Sequence, residues 1–151
     1  MRDQLVYSLS GKGAHMSFDE AVADFPVEAI NLKPRGVEYS FWHLVEHMRI
    51  CQWDILQFMR DPNHVSPEFP VGLWPAPDAE TDEAGWRKSI ELFRADLAAV
   101  IELTQDPTIN LTAELPHAPG YTYLREILLV IDHNAYHTGE LAILRQVEGL
   151  W

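Results

Sequence analysis

Apolar residues recur at intervals of three and four positions along four segments of the chain, and this spacing predicts four amphipathic helices. The predicted helices span residues 2–9, 38–59, about 82–102 and 123 to about 148. Thr81 or Asp82 is the predicted cap of the third helix, and Thr122 that of the fourth. A further short helix is predicted to begin at Ser17, which forms a capping box with Glu20, and to end before the next proline. No segment shows a competing strand pattern.

The second and third long helices are joined by a proline-rich stretch, residues 61–82, which has little periodicity. It also carries Phe69, Leu73 and Trp74, and a solvated linker would avoid such large apolar groups. The stretch is therefore interpreted as a crossover within one domain. Such a long connection allows the two helices that it joins to run in the same direction. The prediction is an all-α four-helix bundle with a long crossover between its second and third helices.

The composition fits one domain that covers residues 1–151, because 47% of the residues are hydrophobic and can fill a sizeable core. The formal net charge of −12 disfavours nucleic acid and anionic membrane surfaces as partners. No segment is apolar for long enough to span a bilayer. The single cysteine, Cys51, cannot form an internal disulfide, and no signal peptide is recognisable, so a cytoplasmic location is expected.

Two of the predicted helices each carry a pair of histidines four residues apart: His43 and His47 on the second, His133 and His137 on the fourth. Residues at this separation lie one turn apart on the same helix face. Two such helices can therefore direct imidazoles toward one metal ion. The alternative is that the histidines are ordinary polar residues of exposed faces. Buried imidazoles without a proton partner or a metal would each cost about 1–3 kcal/mol.

The spacing of the acidic residues argues against two other kinds of metal site. A di-iron carboxylate bundle needs Glu-x-x-His on two helices, and the only such motif, Glu114 to His117, lies in a loop next to prolines. A zincin-type protease has a glutamate directly after the first histidine of its HExxH motif, and this chain has Asn134 there.

Three stretches of the sequence, GKGAHMSFDEAVADF, FWHLVEHMRICQWDIL and DHNAYHTGELAILRQVEGLW, resemble the DinB-like (DinB/YfiT-type) family of bacterial four-helix-bundle proteins. The resemblance covers nearly the whole chain. It implies a divalent metal ion held by three histidines, which by position are His47, His133 and His137. His43 has no settled counterpart, and an ordinary helical role, a contact with a ligand histidine, and a fourth-ligand role all stay open. The first helix is short for the family.

Three neutral imidazoles suit zinc, nickel or a similar divalent ion, and an open coordination position is typical of a catalytic site. A metal held in this way lowers the pKa of a bound water or thiol. Glu140, one turn after His137, and Asp54, two turns after His47, are candidates to orient a ligand or accept a proton. Either could instead be a solvated surface carboxylate. Cys51 fits a small core residue better than a ligand.

The resemblance implies a metal-dependent transferase or hydrolase-like enzyme with a small-molecule substrate, since the characterised members of the family include enzymes that use low-molecular-weight thiols. Metal-assisted hydrolysis, a non-catalytic metal-binding bundle and a bundle with incidental histidines are the alternatives. No nucleotide-binding or phosphate-binding motif is present, so no organic cofactor is expected.

The fourth helix is apolar over much of its circumference, and Leu129, Tyr136, Ile143 and Val147 lie away from its histidine face. A monomeric bundle can bury only part of this surface, so a homodimer is expected. The alternative is that the first helix and the crossover cover it.

Overall fold

The computed structural model describes all 151 residues, and its architecture confirms an all-α bundle. It contains α1 (Arg2–Leu9), α2 (Phe18–Val22), α3 (Phe41–Arg60), α4 (Glu83–Gln105), α5 (Tyr123–Val147), β1 (Glu114–Leu115) and β2 (Ala118–Thr122). The bundle consists of α1, α3, α4 and α5, and α2 packs against α5.

Side-chain caps set the starts of the three long helices. Asp82 accepts a hydrogen bond from the Gly85 amide at 2.9 Å, as predicted for α4. Thr122 caps α5, also as predicted. The predicted start of α3 at residue 38 was wrong, because Ser40 has an extended backbone and caps the helix through the His43 amide. The apolar pattern alone did not separate the cap from the first turn.

The predicted capping box of Ser17 and Glu20 is confirmed at the start of α2. This helix ends earlier than the next proline, since Ala23 is extended and Asp24 has a φ of 49°. The link between α4 and α5 was predicted to contain no strand, and that was wrong. It forms a hairpin of β1 and β2, whose strands are too short to show a period-two pattern in the sequence.

Helices α3 and α4 run in the same direction, as the length of the crossover predicted. Three side-chain hydrogen bonds join them in rising order along both helices, from Trp42 to Ser89, from Gln52 to the Phe93 carbonyl, and from Arg60 to the Ala99 carbonyl. Helix α5 runs antiparallel to α3, because the middle of α3 faces the middle of α5 and the end of α3 faces the hairpin that precedes α5. The His47 turn of α3 is thereby brought to the 133–137 turn of α5.

The apolar side chains form two clusters, one toward each end of the bundle. The first includes Phe18, Phe25, Phe41, Leu44, Met48, Trp86, Phe93 and Leu141. The second includes Leu5, Leu9, Ile55, Leu56, Met59, Val100, Leu103, Ile127 and Val130. Because both clusters draw residues from α3, α4 and α5, the relative position of these helices is fixed along most of their length.

Arg145 of α5 binds α2 and the C-terminal residues, and only 3% of its surface is exposed. Its guanidinium donates to the carbonyls of Ala21, Ala23, Asp24 and Leu150, and lies over the rings of Phe25 and Trp151. A buried guanidinium is tolerated here because carbonyl acceptors replace the water that it loses.

No helix in the structure is both long enough and apolar enough to cross a membrane. On the outer side of α5, large apolar groups stay in contact with solvent. The exposed fractions are 71% for Tyr136, 63% for Ile143 and 68% for Val147. Neither α1 nor the crossover covers these three side chains.

Candidate metal centre

Three imidazoles from two helices converge beneath the crossover. His47 of α3 and His133 and His137 of α5 have ring nitrogens that all lie within 4.8 Å of one another. The Nε2 atom of His47 lies 3.3 Å from the Nε2 atoms of both His133 and His137. His47 is buried, and the other two are partly buried. The structure therefore brings together the three residues that the sequence resemblance implied as metal ligands.

The orientation of the His47 ring is fixed by the crossover. Its Nδ1 lies 2.8 Å from the backbone carbonyl of Leu73, which can only accept a hydrogen bond. Nδ1 therefore carries the proton, and in the neutral ring Nε2 presents a lone pair. The indole of Trp74 stacks on the same imidazole, with ring centroids 3.8 Å apart and an interplanar angle of 6°.

The orientation of the His137 ring is fixed by Glu140, one turn further along α5. Its Nδ1 lies 2.6 Å from a carboxylate oxygen of Glu140, and the other oxygen accepts a hydrogen bond from the Tyr39 hydroxyl. Burial acts to raise the pKa of Glu140, but the hydrogen bonds from His137 and Tyr39 outweigh it and lower that pKa. Burial, together with the Glu140 carboxylate, raises the pKa of the Tyr39 hydroxyl. Tyr39 therefore stays a donor and Glu140 an acceptor.

These hydrogen bonds make the Nε2 lone pairs of His47 and His137 face each other at 3.3 Å. Two lone pairs so close and so poorly hydrated repel each other unless a cation lies between them. Two nitrogens bound to one tetrahedral zinc ion at ~2.0–2.1 Å would be about 3.3 Å apart. The chemistry and the spacing of the donors therefore fit a divalent metal ion, and the three-histidine group could hold one.

His133 lacks the polar support that the other two rings have. Its Nδ1 is buried and makes no hydrogen bond within the protein. Burial, followed by the neighbouring His137 and His47, lowers the pKa of His133 from 6.5 to about 4. Burial also lowers the pKa of His47. At neutral pH these two rings are unprotonated, which is the form that binds a metal.

The other residues considered from the sequence lie outside this cluster. Asp54 pairs with His64, whose Nε2 is 2.6 Å from its carboxylate. His43 closes the capping box of α3, where its Nδ1 accepts a hydrogen bond from the Ser40 amide. The thiol of Cys51 is buried 3.4 Å from the Nδ1 of His47, and burial followed by Asp54 raises its pKa to about 12.

Only part of the crossover's large apolar set lies at the site. Leu73 and Trp74 contact His47, whereas Phe69 is 83% exposed. Tyr39 was not predicted as a site residue, because the predicted second helix included it. The Leu73 carbonyl was not predicted either, since every residue type carries a backbone acceptor.

The depressed pKa of His133 predicts a pH-dependent stability for protein stripped of metal by a chelator. As the pH falls from 6.5 to about 4, the unfolded chain takes up a proton that folded His133 does not. The free energy of unfolding therefore contains a contribution from His133 that is fully present above pH 6.5 and is lost as the pH falls to about 4. The loss is roughly 2 kcal/mol after allowance for solvent screening. Urea unfolding at several pH values measures it. His133→Gln should flatten the decline, whereas His15→Gln, at an exposed position, should not; equal slopes for both variants would contradict the assignment.

The chain matches a known protein family. The model of the DinB superfamily matches residues 12–141, which is most of the chain and includes all three histidines of the cluster. No curated protein and no solved structure matches the chain significantly. With its helical bundle and a family match over most of its length, the chain belongs to the DinB superfamily.

Proposed function

We propose that the chain binds one divalent metal ion through His47, His133 and His137 and uses it in an enzymatic reaction. The observation that carries the proposal is the convergence of three Nε2 atoms, two of which lie on rings whose Nδ1–H groups are held by fixed acceptors. Carboxylate or carbonyl acceptors behind histidine ligands are the usual support of protein metal sites. Three imidazole nitrogens favour zinc or nickel over calcium or magnesium.

The protein side chains supply three ligands and leave a further position for an exogenous one. Cys51 is a poor fourth ligand, because a metal binds the thiolate and the pKa of this thiol is raised to about 12. Glu140 is engaged on both oxygens by His137 and Tyr39, so it orients a ligand and is not free to bind the metal. Structural zinc sites fill all four positions with protein ligands, whereas catalytic sites do not.

The substrate that we propose for the open position is a low-molecular-weight thiol, in line with the family resemblance of the sequence. When bound, a divalent ion would lower the pKa of such a thiol and so supply a nucleophile near neutral pH. The protein contributes the remaining functions. Leu73 and Glu140 hold two imidazoles in place, and Trp74 shields the His47 ring from water. Metal-assisted hydrolysis is the alternative for the same site.

The first test is metal content. Protein purified without a metal-affinity tag should contain close to one divalent ion per chain by elemental analysis. Replacement of both His133 and His137 by alanine should abolish binding, since two of three ligands are lost. His43→Ala is the control and should retain the metal, because His43 lies outside the cluster. Full metal retention in the double variant would refute the site.

The second test concerns the reaction class. Cobalt(II) should replace the native ion, and titration with glutathione or a simple thiol should produce a sulfur-to-cobalt charge-transfer band. The double variant with alanine at 133 and 137 serves as the control and should show no such band. If thiols leave the cobalt spectrum unchanged while azide alters it, the thiol proposal is wrong and metal-assisted hydrolysis takes its place.

We further propose that two copies of the chain associate through the outer side of α5. Tyr136, Ile143 and Val147 expose 71%, 63% and 68% of their surface on one side of this helix. Light scattering should give twice the chain mass of 17.3 kDa, and Ile143→Glu should shift the protein toward monomer because it buries a charge in the interface. Val65→Glu, at a position on the crossover that is 85% exposed, should not. A wild-type monomer mass at high concentration would exclude the dimer.

A further inference from the structure

A second concave surface lies on the same helices as the histidines, toward the start of α5 and the end of α3. It is a groove of about 400 Å³ whose walls include Asp54, Phe58, Tyr121, Arg125, Glu126 and Leu129. The lining of the groove does not include His47, His133 or His137. Leu129 precedes His133 by one helical turn, so this end of the groove lies about 6 Å along α5 from the candidate metal centre.

Arg125 is held in this groove from two sides. Its Nη1 donates to a carboxylate oxygen of Glu126, and its guanidinium lies over the ring of Tyr121, 4.5 Å from the centroid. Half of the Arg125 side chain is exposed, 51%, whereas Glu126 is 3% exposed. The Nε and Nη2 groups of Arg125 have no partner in the protein, so the guanidinium is fixed in orientation and still has free donors.

The position of Arg125 is unfavourable for the helix that carries it, whereas the carboxylate of Glu126 in the same turn is favourably placed. Arg125 lies in the first turn of α5, where the positive end of the helix dipole repels a cation. Glu126 loses nearly all its hydration, and Arg125 is its only hydrogen-bond partner in the protein. Features that oppose local stability in this way are typical of functional positions. A fixed guanidinium with a free edge is suited to a planar anion.

The charges around Arg125 favour a singly charged anion. Asp54 lies in the same groove, paired with His64, and Glu126 is adjacent. A phosphate dianion would be repelled by both carboxylates, in a protein whose formal net charge is already −12. A carboxylate needs only the two parallel hydrogen bonds that one guanidinium edge provides.

We propose that Arg125 binds the carboxylate of a small-molecule substrate whose reacting group lies at the histidine cluster. This inference rests on the proposed function. Arg125 and His133 are eight positions apart on α5, which corresponds to about 12 Å along the helix axis. The substrate therefore carries its carboxylate at roughly that distance from its reacting atom. Glu126 acts as a positioning residue that keeps the guanidinium over Tyr121.

The test uses the cobalt(II)-loaded full chain and thiols that differ either in the charge of their far end or in their length. An ω-mercaptoalkanoate long enough to span the separation, 8-mercaptooctanoate, is compared with its uncharged amide and with the short 3-mercaptopropionate. The charge-transfer band reports binding. The long carboxylate should bind about tenfold more tightly than either of the other two, because a charge-assisted hydrogen bond contributes about 1.5 kcal/mol or more.

Arg125→Gln should remove this preference without weakening binding of the amide, and Arg125→Lys should restore only part of it because lysine lacks the planar fork. Arg87→Gln is the matched control, since Arg87 is an exposed, ion-paired arginine on α4. Equal affinity of wild type for acid and amide, or a preference that survives Arg125→Gln, would overturn the inference while leaving the thiol proposal intact.

A second experiment tests carboxylate binding by Arg125 without any thiol. Its result is therefore independent of whether the proposed thiol reaction is correct. The metal-free protein is titrated with octanoate, and the arginine side-chain Nε–H signals are followed by NMR. The signal that is missing in Arg125→Gln should shift on titration. The absence of any shift would overturn the inference. A larger response to inorganic phosphate at equal ionic strength would also overturn it, because it would identify a site for a dianion.

Discussion

The interaction on which the site depends is the pair of hydrogen bonds behind two imidazoles. The Leu73 carbonyl holds the Nδ1–H of His47, and Glu140 holds that of His137. Neither acceptor touches the Nε2 atoms, yet together they decide that two lone pairs face each other in a poorly hydrated space. A proton or a metal ion is the natural occupant of such a space, and burial disfavours a proton on His47, since it lowers the pKa of that ring.

The long crossover between α3 and α4 brings one of these acceptors to its histidine. A tight turn after α3 would make α4 antiparallel and would leave no chain to pass over His47. The long crossover instead lets α3 and α4 run in parallel, and on its way it places the Leu73 carbonyl and the Trp74 ring against that imidazole. Glu140 needs no such arrangement, because residues three apart on a helix are neighbours. The His47 ring is thus held by tertiary structure and the His137 ring by α5 itself.

This difference explains how much of the site could be predicted from the sequence. Helical geometry predicts that His133, His137 and Glu140 lie on one face of α5. Residue type and position predict the caps at Ser17, Asp82 and Thr122. The Leu73 carbonyl could not be found in this way, because every residue has one. The partner of Asp54 could not be predicted for a related reason. Asp54 shares a face of α3 with His47, but His64, which arrives from the crossover, pairs with it instead. Helical periodicity describes one helix at a time, and the contacts made by the irregular crossover lie beyond it.

The same geometry has a cost that the rest of the fold must offset. The Nδ1 of His133 is buried without a partner, and such a group costs about 1–3 kcal/mol. A domain of this size is stable by only ~5–15 kcal/mol, so this cost is a considerable fraction of the total. The clusters of apolar side chains at both ends of the bundle and the fourfold-bonded Arg145 provide stability at a distance from the histidines. A metal ion that binds the folded chain and not the unfolded one would add stability by mass action. The histidine cluster is therefore better explained by ligand binding than by its contribution to the stability of the ligand-free fold.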